Sequence, residues 1–495
     1  MSKYILAIDQ GTTSSRALIL DATLQIRGSA SADFPQHFPQ PGHVEHDLND
    51  IWNSVCAAVR QAMQAAGARG GDIAAIGITN QRETTCLWHR DAHATPVTRA
   101  IVWQDRRTAP ECEALRKRKL GPWINRRTGL VLDPYFSATK LQWMLKHVAG
   151  AGKLAAAGKL AFGTIDSFLL YRLTGQHRTD VSNASRTLLM NLKTCEWDDE
   201  LLRLFKVPRS VLPEILPSAT EYGKTHRFLD FPDGIPVTGI AGDQQAALFG
   251  QACFAKGGIK CTYGTGAFAM LNTGTTPIFS KNQMITTVAW KLGGKTTYAL
   301  EGSAFIAGAA VQWLRDGLGI IPGSKAVEAL AASVADNGGV TFVPALSGLG
   351  APHWVPTATG MITGLTRGTT KAHVARATLE GIAFFVAELL SAMNKDFGSR
   401  PRVLKVDGGA SMDSLMMQFQ ADLLGVDVTR AAIMETTALG AGLQAGLAIG
   451  YWSSLEEIAA KWKAAKTFQP RIKPKERTKR MDHWNRVVDA VRTLS

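Results

Sequence analysis

Three short stretches of this 495-residue chain carry more chemistry than a surface needs. Asp9-Gln10-Gly11-Thr12-Thr13-Ser14-Ser15 offers backbone N–H groups at Gly11 and Thr12 beside the hydroxyls of Thr12, Thr13 and Ser14. Such a nest suits phosphate oxygens, Asp9 can reach a magnesium ion directly or through water, and Arg16 supplies a charge partner. Taken alone, an ordinary Gly-Thr turn with a capped Asp has the same composition. Gln81-Arg82-Glu83-Thr84 sets a guanidinium fork beside a carboxylate. That pairing can hold adjacent hydroxyls of a polyol in a fixed sense, or be a surface ion pair worth little. Asp243 sits in Gly242-Asp243-Gln244-Gln245. A carboxylate facing a cleft there can take the proton of a hydroxyl attacking phosphorus. Phosphoryl transfer asks for little beyond alignment, charge neutralisation and such a base.

These residues need strands that deliver them to a common edge. Apolar β-type runs are predicted at Tyr4 to Ile8, Ala17 to Leu20, Ile73 to Ile78, Ala100 to Trp103, Pro236 to Ile240 and Val403 to Val406, each ending in a small polar turn. In open α/β sheets ligands bind beyond the carboxyl ends of the strands. Helical patterns are predicted over Leu48 to Ala65, Thr139 to His147, Ser303 to Asp316, Lys371 to Met393 and Ser414 to Leu424. The strand–turn–strand theme of the N-terminus returns at Gly258 to Leu271, around Tyr263-Gly264-Thr265-Gly266. This suggests an internal duplication whose two hairpins could grip a polyphosphate from opposite sides. Asp407-Gly408-Gly409-Ala410 before a helix is a third nucleotide-type element, because glycines let the chain approach a purine or ribose closely. The expected class is α/β, divided near Gly250 to Gly258 into residues 1–250 and 251–495, with the halves packed around a cleft.

Composition excludes much else. At 45% hydrophobic and 19% charged residues the chain can bury sizeable cores, and no run approaches a membrane-spanning length. Six scattered cysteines without a Cys-x-x-Cys pair suit a reducing compartment, so a cytoplasmic protein is expected, with no membrane insertion. The formal charge of +14 attracts polyanions, yet no helix-turn-helix, RNP or zinc-finger pattern supports a nucleic-acid partner. His43-x-x-His46 has no further ligand set and reads as a loop pair. There is neither a Gly-x-x-x-x-Gly-Lys-Ser/Thr loop nor a Gly-x-Gly-x-x-Gly fingerprint after the first strand, which weighs against P-loop and Rossmann folds.

Along essentially its whole length the chain resembles the FGGY carbohydrate kinases. One signature appears as Tyr135-Phe136-Ser137-Ala138-Thr139-Lys140-Leu141-Gln142-Trp143-Met144. The other appears as Gly360-Met361-Ile362-Thr363-Gly364-Leu365 followed by His373-Val374-Ala375-Arg376-Ala377-Thr378-Leu379-Glu380. Asp9 to Arg16, Ile78 to Thr84, Ile101 to Gln104, Asp133 to Ser137, Ser182 to Thr187 and Gly239 to Gly250 resemble the branch that acts on glycerol. The resemblance implies two ribonuclease-H-like domains of the actin/hexokinase ATPase type around a central cleft. It also implies ATP-dependent phosphorylation of glycerol to sn-glycerol 3-phosphate with Mg2+, in a homo-oligomer, dimer or tetramer. A pentose or pentitol kinase of the same family is the alternative. Carried over, Arg82, Glu83, Tyr135 and Asp243 become glycerol ligands, with Asp243 also the general base and Gln244 holding a hydroxyl. Trp103 and Phe268 would wall the carbon skeleton. Thr12, Thr13, Ser14 and Arg16 would face the nucleotide phosphates with Thr265 opposite, while Gly308, Gln312 and Gly409 line the nucleotide site and Asp9 lies near magnesium. At the adenine end the chain has Asp413 where the glycerol branch commonly has Asn.

Overall fold

The computed structural model describes residues 3–495. Its first half is built on a six-stranded sheet. Strands β1 (Tyr4–Gln10), β2 (Ser14–Leu20) and β3 (Ile26–Asp33) form an antiparallel meander, and β4 (Ile73–Asn80) lies parallel to β1. Strands β5 (Ala219–Lys224) and β6 (Pro236–Gly242) complete the order β5-β6-β4-β1-β2-β3. The run Ile5-Leu6-Ala7-Ile8 is buried throughout, because helices cover both faces of the sheet.

The second half repeats the plan. Strands β7 (Ile259–Tyr263), β8 (Ala267–Gly274), β9 (Ile285–Leu292), β10 (Lys295–Ala304), β11 (Val403–Asp407), β12 (Asp427–Ala431) and β13 (Ala464–Phe468) pair in the order β9-β10-β8-β7-β11-β12-β13. Here too a hairpin, β7-β8, is flanked by a strand parallel to its first member, β11. The duplication expected from two short turns therefore extends to the sheets that carry them.

Two expectations are corrected. Ala100 to Trp103 is not a strand of the main sheet. Only Ala100–Ile101 is extended, against Glu45–His46, because the buried Asp105 carboxylate accepts from the Val44 amide at 2.7 Å and bends the chain away. Ser303 to Asp316 is not one helix. Phe268 and Ala267 pair with Ser303 and Ala304 in the β8-β10 ladder, and the helix begins only at Gly308.

Residues between β4 and β5 form an added layer with its own core, centred on Leu141, Phe162, Leu189 and Phe205. The halves are joined by close helix packing. Helix α1 (Asp243–Gly250) crosses α2 (Thr436–Ala448), and glycine is required at the crossing. A Cβ at Gly440 would lie 1.8 Å from the Ala246 carbonyl oxygen, and one at Gly250 would lie 2.0 Å from that of Thr436. A helix of the second half thus fixes the helix that starts at Asp243. Among the described residues no helix is long and apolar enough to cross a membrane.

Candidate active site

The β1-β2 turn is closed by the Gly11 amide donating to the Ser14 carbonyl at 2.9 Å. The Trp103 indole donates to Thr12 Oγ1 at 3.0 Å, so the ring expected to wall the acceptor also steadies the phosphate turn. Asp9 stands opposite Arg16 in the strand register. Burial, and then the Asp243 carboxylate, push Asp9 up to about 7 against the pull of Arg16. Arg16 also forms an ion pair with Glu435 of the second half, a partner the sequence did not disclose.

The second turn is clamped to a helix. Gly308 N donates to the Gly264 carbonyl at 2.9 Å, and Ala307 N to that of Thr265 at 2.8 Å. This brings Thr265 beside Gly308 and Gln312, and all three line one cavity of about 600 Å³ with Gly409, Asp413 and Glu328. Gly408 has φ +84, and a Cβ there would lie 2.5 Å from the Tyr263 carbonyl oxygen, whereas Gly409 has open space beside it. The first glycine makes the turn and the second leaves room for a ligand. Asp413 caps the helix Ser414–Leu424 through the Met416 amide at 2.8 Å, leaving Oδ2 buried without a partner. Burial raises Asp413 to about 6 despite that bond, with Glu328 adding to the shift.

Between the two turns lies a charged cluster. Arg82 Nε is 2.9 Å from Asp243 Oδ1. Its two terminal nitrogens donate to the two oxygens of Glu301 at 2.5 and 2.9 Å. Arg186 donates from Nε to Glu83 Oε1 at 2.6 Å and from Nη2 to Glu301 Oε1 at 3.1 Å. Arg82, Glu83, Arg186 and Glu301 are at most 2% exposed, while Asp243 is 29% exposed and faces the cleft. Burial pushes the Glu301 carboxyl up, but Arg186 and Arg82 outweigh it and hold it at about 2. Burial raises Glu83 in spite of the same two cations. Glu83 also has φ 62, a conformation uncommon for a residue with a side chain and concentrated at functional sites. Tyr135 packs edge-on against Trp103, with ring centroids 5.6 Å apart, and the Arg186 guanidinium lies over its face.

Arg82, Glu83, Tyr135, Trp103 and Asp243 are thus brought to one place, and Thr265, Gly308, Gln312, Gly409 and Asp413 to another. Gln244 accepts from Lys260 Nζ through its side-chain oxygen, which leaves its amide NH2 to donate. Phe268 is half-buried on β8, and its carbonyl accepts from the same ammonium at 3.3 Å. Sequence reasoning missed Glu301 and Lys260. The available signal was a charge inside an apolar strand, as in Ala299-Leu300-Glu301 and Ile259-Lys260-Cys261. His46 is bonded to Gln36 and Gln81 and held low, at about 4, by burial, which suits a structural histidine.

Duplicated hairpin sheets, a purine-sized cavity on one side and a buried polyol-type fork on the other define an ATPase-fold sugar or polyol kinase. The chain belongs to the FGGY family of carbohydrate kinases: the family's N-terminal domain matches residues 4–250 and its C-terminal domain residues 259–449. It is 56% identical over 492 residues to a protein of Myxococcus xanthus named glycerol kinase, covering 99% of each chain. It is likewise 56% identical to one of the same name from Deinococcus radiodurans, covering 99% of this chain and 98% of that one. Among solved structures it resembles Plasmodium falciparum glycerol kinase with ADP, at 35% identity and a TM-score of 0.91, covering 99% and 98% of the two chains. A ligand-bound xylulose kinase from Lactobacillus acidophilus, at 24% identity and a TM-score of 0.88 over 99% and 98%, shares the fold.

Proposed function

We propose that the chain transfers the γ-phosphoryl group of ATP to the C3 hydroxyl of glycerol, giving sn-glycerol 3-phosphate and ADP. The observation that carries this is the position of Asp243, bonded to the hydroxyl-type fork of Arg82 and electrostatically coupled to Asp9 beside the phosphate turn. Asp243 accepts the proton of the attacking hydroxyl, which forms its bond to phosphorus as the bond to the ADP oxygen breaks. Arg82, Glu83 and Tyr135 orient glycerol, Trp103 and Phe268 enclose its carbons, and Gln244 with Lys260 closes the floor. Thr12, Thr13, Ser14 and Arg16 face the phosphates from one side and Thr265 from the other, while Gly308, Gln312, Gly409 and Asp413 form the adenosine end.

Among the described residues no three His, Cys, Asp or Glu side chains gather as a ready-made metal cage. That suits magnesium, which is commonly held by one or two carboxylates with substrate phosphates and water. Asp9, buried with a second carboxylate nearby, fits as its protein ligand, and the ion would neutralise phosphate charge. We place the domain boundary at 250/251, after the last turn of α1. All six cysteines are unpaired and buried, which supports a cytoplasmic setting, and the family resemblance supports a homo-oligomer. A pentose is the weaker reading, because the relatives at high identity are named for glycerol whereas the xylulose kinase likeness extends to the fold alone. The test is phosphorus NMR of the product formed from glycerol and Mg-ATP. A primary phosphomonoester of glycerol is expected, and ADP release without any glycerol ester would refute the assignment.

A further inference from the structure

The acceptor residues come from the first half of the chain, yet the charge at their centre comes from the second. Glu301 lies on β10 between Leu300 and Gly302 and is fully buried. Its carboxylate is shared: both oxygens accept from Arg82, and Oε1 accepts from Arg186 as well. Arg82 then turns its remaining Nε to Asp243, while Arg186, held to Glu301 through Nη2 alone, turns its Nε to Glu83. A guanidinium fork is rigid and planar, so fixing the two terminal nitrogens of Arg82 also fixes the direction of its Nε–H. Glu301 therefore fixes the approach to Asp243 through two bonds to Arg82 and anchors the approach to Glu83 through one bond to Arg186, although it is bonded to neither carboxylate.

We infer that Glu301 is a positioning residue for the phosphoryl acceptor: through Arg82 it aims Asp243, and through Arg186 it aims Glu83. This rests on the proposed glycerol reaction and adds to it a role for the second half of the chain on the acceptor side. Because β10 belongs to the second sheet, the acceptor site is complete only when the two halves are apposed. Without the Glu301 charge, Arg82 loses the hold on its terminal nitrogens, and the Nε that meets Asp243 at 2.9 Å no longer has a fixed direction. A purely cohesive buried ion cluster would behave otherwise, since removing the charge of one partner would cost stability without moving either KM.

The test is steady-state kinetics of the full chain and of Glu301→Gln, which keeps the shape and removes the charge, with Mg-ATP and glycerol varied in turn. The expected result is a glycerol KM raised about tenfold or more with reduced kcat, while the ATP KM stays within roughly threefold of wild type. A merely structural loss lowers the active fraction and leaves both KM values unchanged, and that outcome overturns the inference. If circular dichroism shows that Glu301→Gln does not fold, Glu301→Asp decides. The charge set back by one methylene should raise the glycerol KM selectively, and an unchanged value overturns the inference. Failure of the underlying reading would be visible separately, as a wild-type protein inert toward glycerol, and the inference would fall with it.

Discussion

In the proposed reaction the two sides of the cleft recognise their substrates by different means. On the acceptor side, Arg82, Glu83, Arg186 and Glu301 are buried, charged and bonded to one another. On the nucleotide side, a cavity of about 600 Å³ combines the glycines Gly264, Gly308 and Gly409 with apolar side chains such as Val311, Leu379 and Met416, and carries Gln312, Glu328 and Asp413 among its polar groups. Buried polar groups discriminate strongly, because a ligand lacking the matching hydroxyl leaves them unpaired. Apolar and glycine surfaces accommodate shape and discriminate less. The acceptor side should therefore be the stringent one.

That contrast can be broken or sharpened by substitution. The largest effect is expected from Asp243→Asn, which removes the base. Its kcat should fall by about 10²- to 10⁴-fold, and retention of the wild-type rate would remove Asp243 from the chemistry. Arg82→Ala comes next. It strips Glu301 and Asp243 of a shared partner, so the glycerol KM should rise roughly tenfold or more while the ATP KM moves little. The same variant should lose about 3–5 kcal/mol of stability, read from chemical denaturation, because buried charge is left uncompensated.

The smallest effect belongs to the nucleotide side. Asp413 is raised from 3.8 to about 6 in the folded chain, so ionising it costs stability. The cost is absent below about pH 3.8, grows as pH rises and is complete above about pH 6. Asp413→Asn keeps an N-cap and removes the cost. The variant should gain on the order of 1–3 kcal/mol at pH 8 and nothing at pH 4. Denaturation midpoints at the two pH values test this, and an equal change at both would contradict it.

Much of this arrangement was legible in the sequence, for physical reasons that differ by element. β1, β4 and β6 are buried on both faces, so they read as apolar runs, and their ends could be located from the first polar residue. The duplicated turns were legible because tight phosphate-type turns require Gly and hydroxyl residues in sequence. Charge pairing was not. Arg82 and Glu83 are neighbours in the chain, but their principal partners are Glu301 and Arg186, more than a hundred positions away. Nothing local marks such a pairing except an acid in an apolar strand. A strand was expected over Ala100 to Trp103 but only Ala100–Ile101 forms one, since a short segment bent by a buried Asp105 keeps the composition of a strand without its pairing.

The most direct test of the stringent acceptor side is ADP release from Mg-ATP by the purified chain, measured across glycerol, xylulose, ribulose, xylitol and a blank without acceptor. Strong turnover with glycerol and little with the sugars or the pentitol is the predicted result. Turnover on a pentose in preference to glycerol would contradict the account.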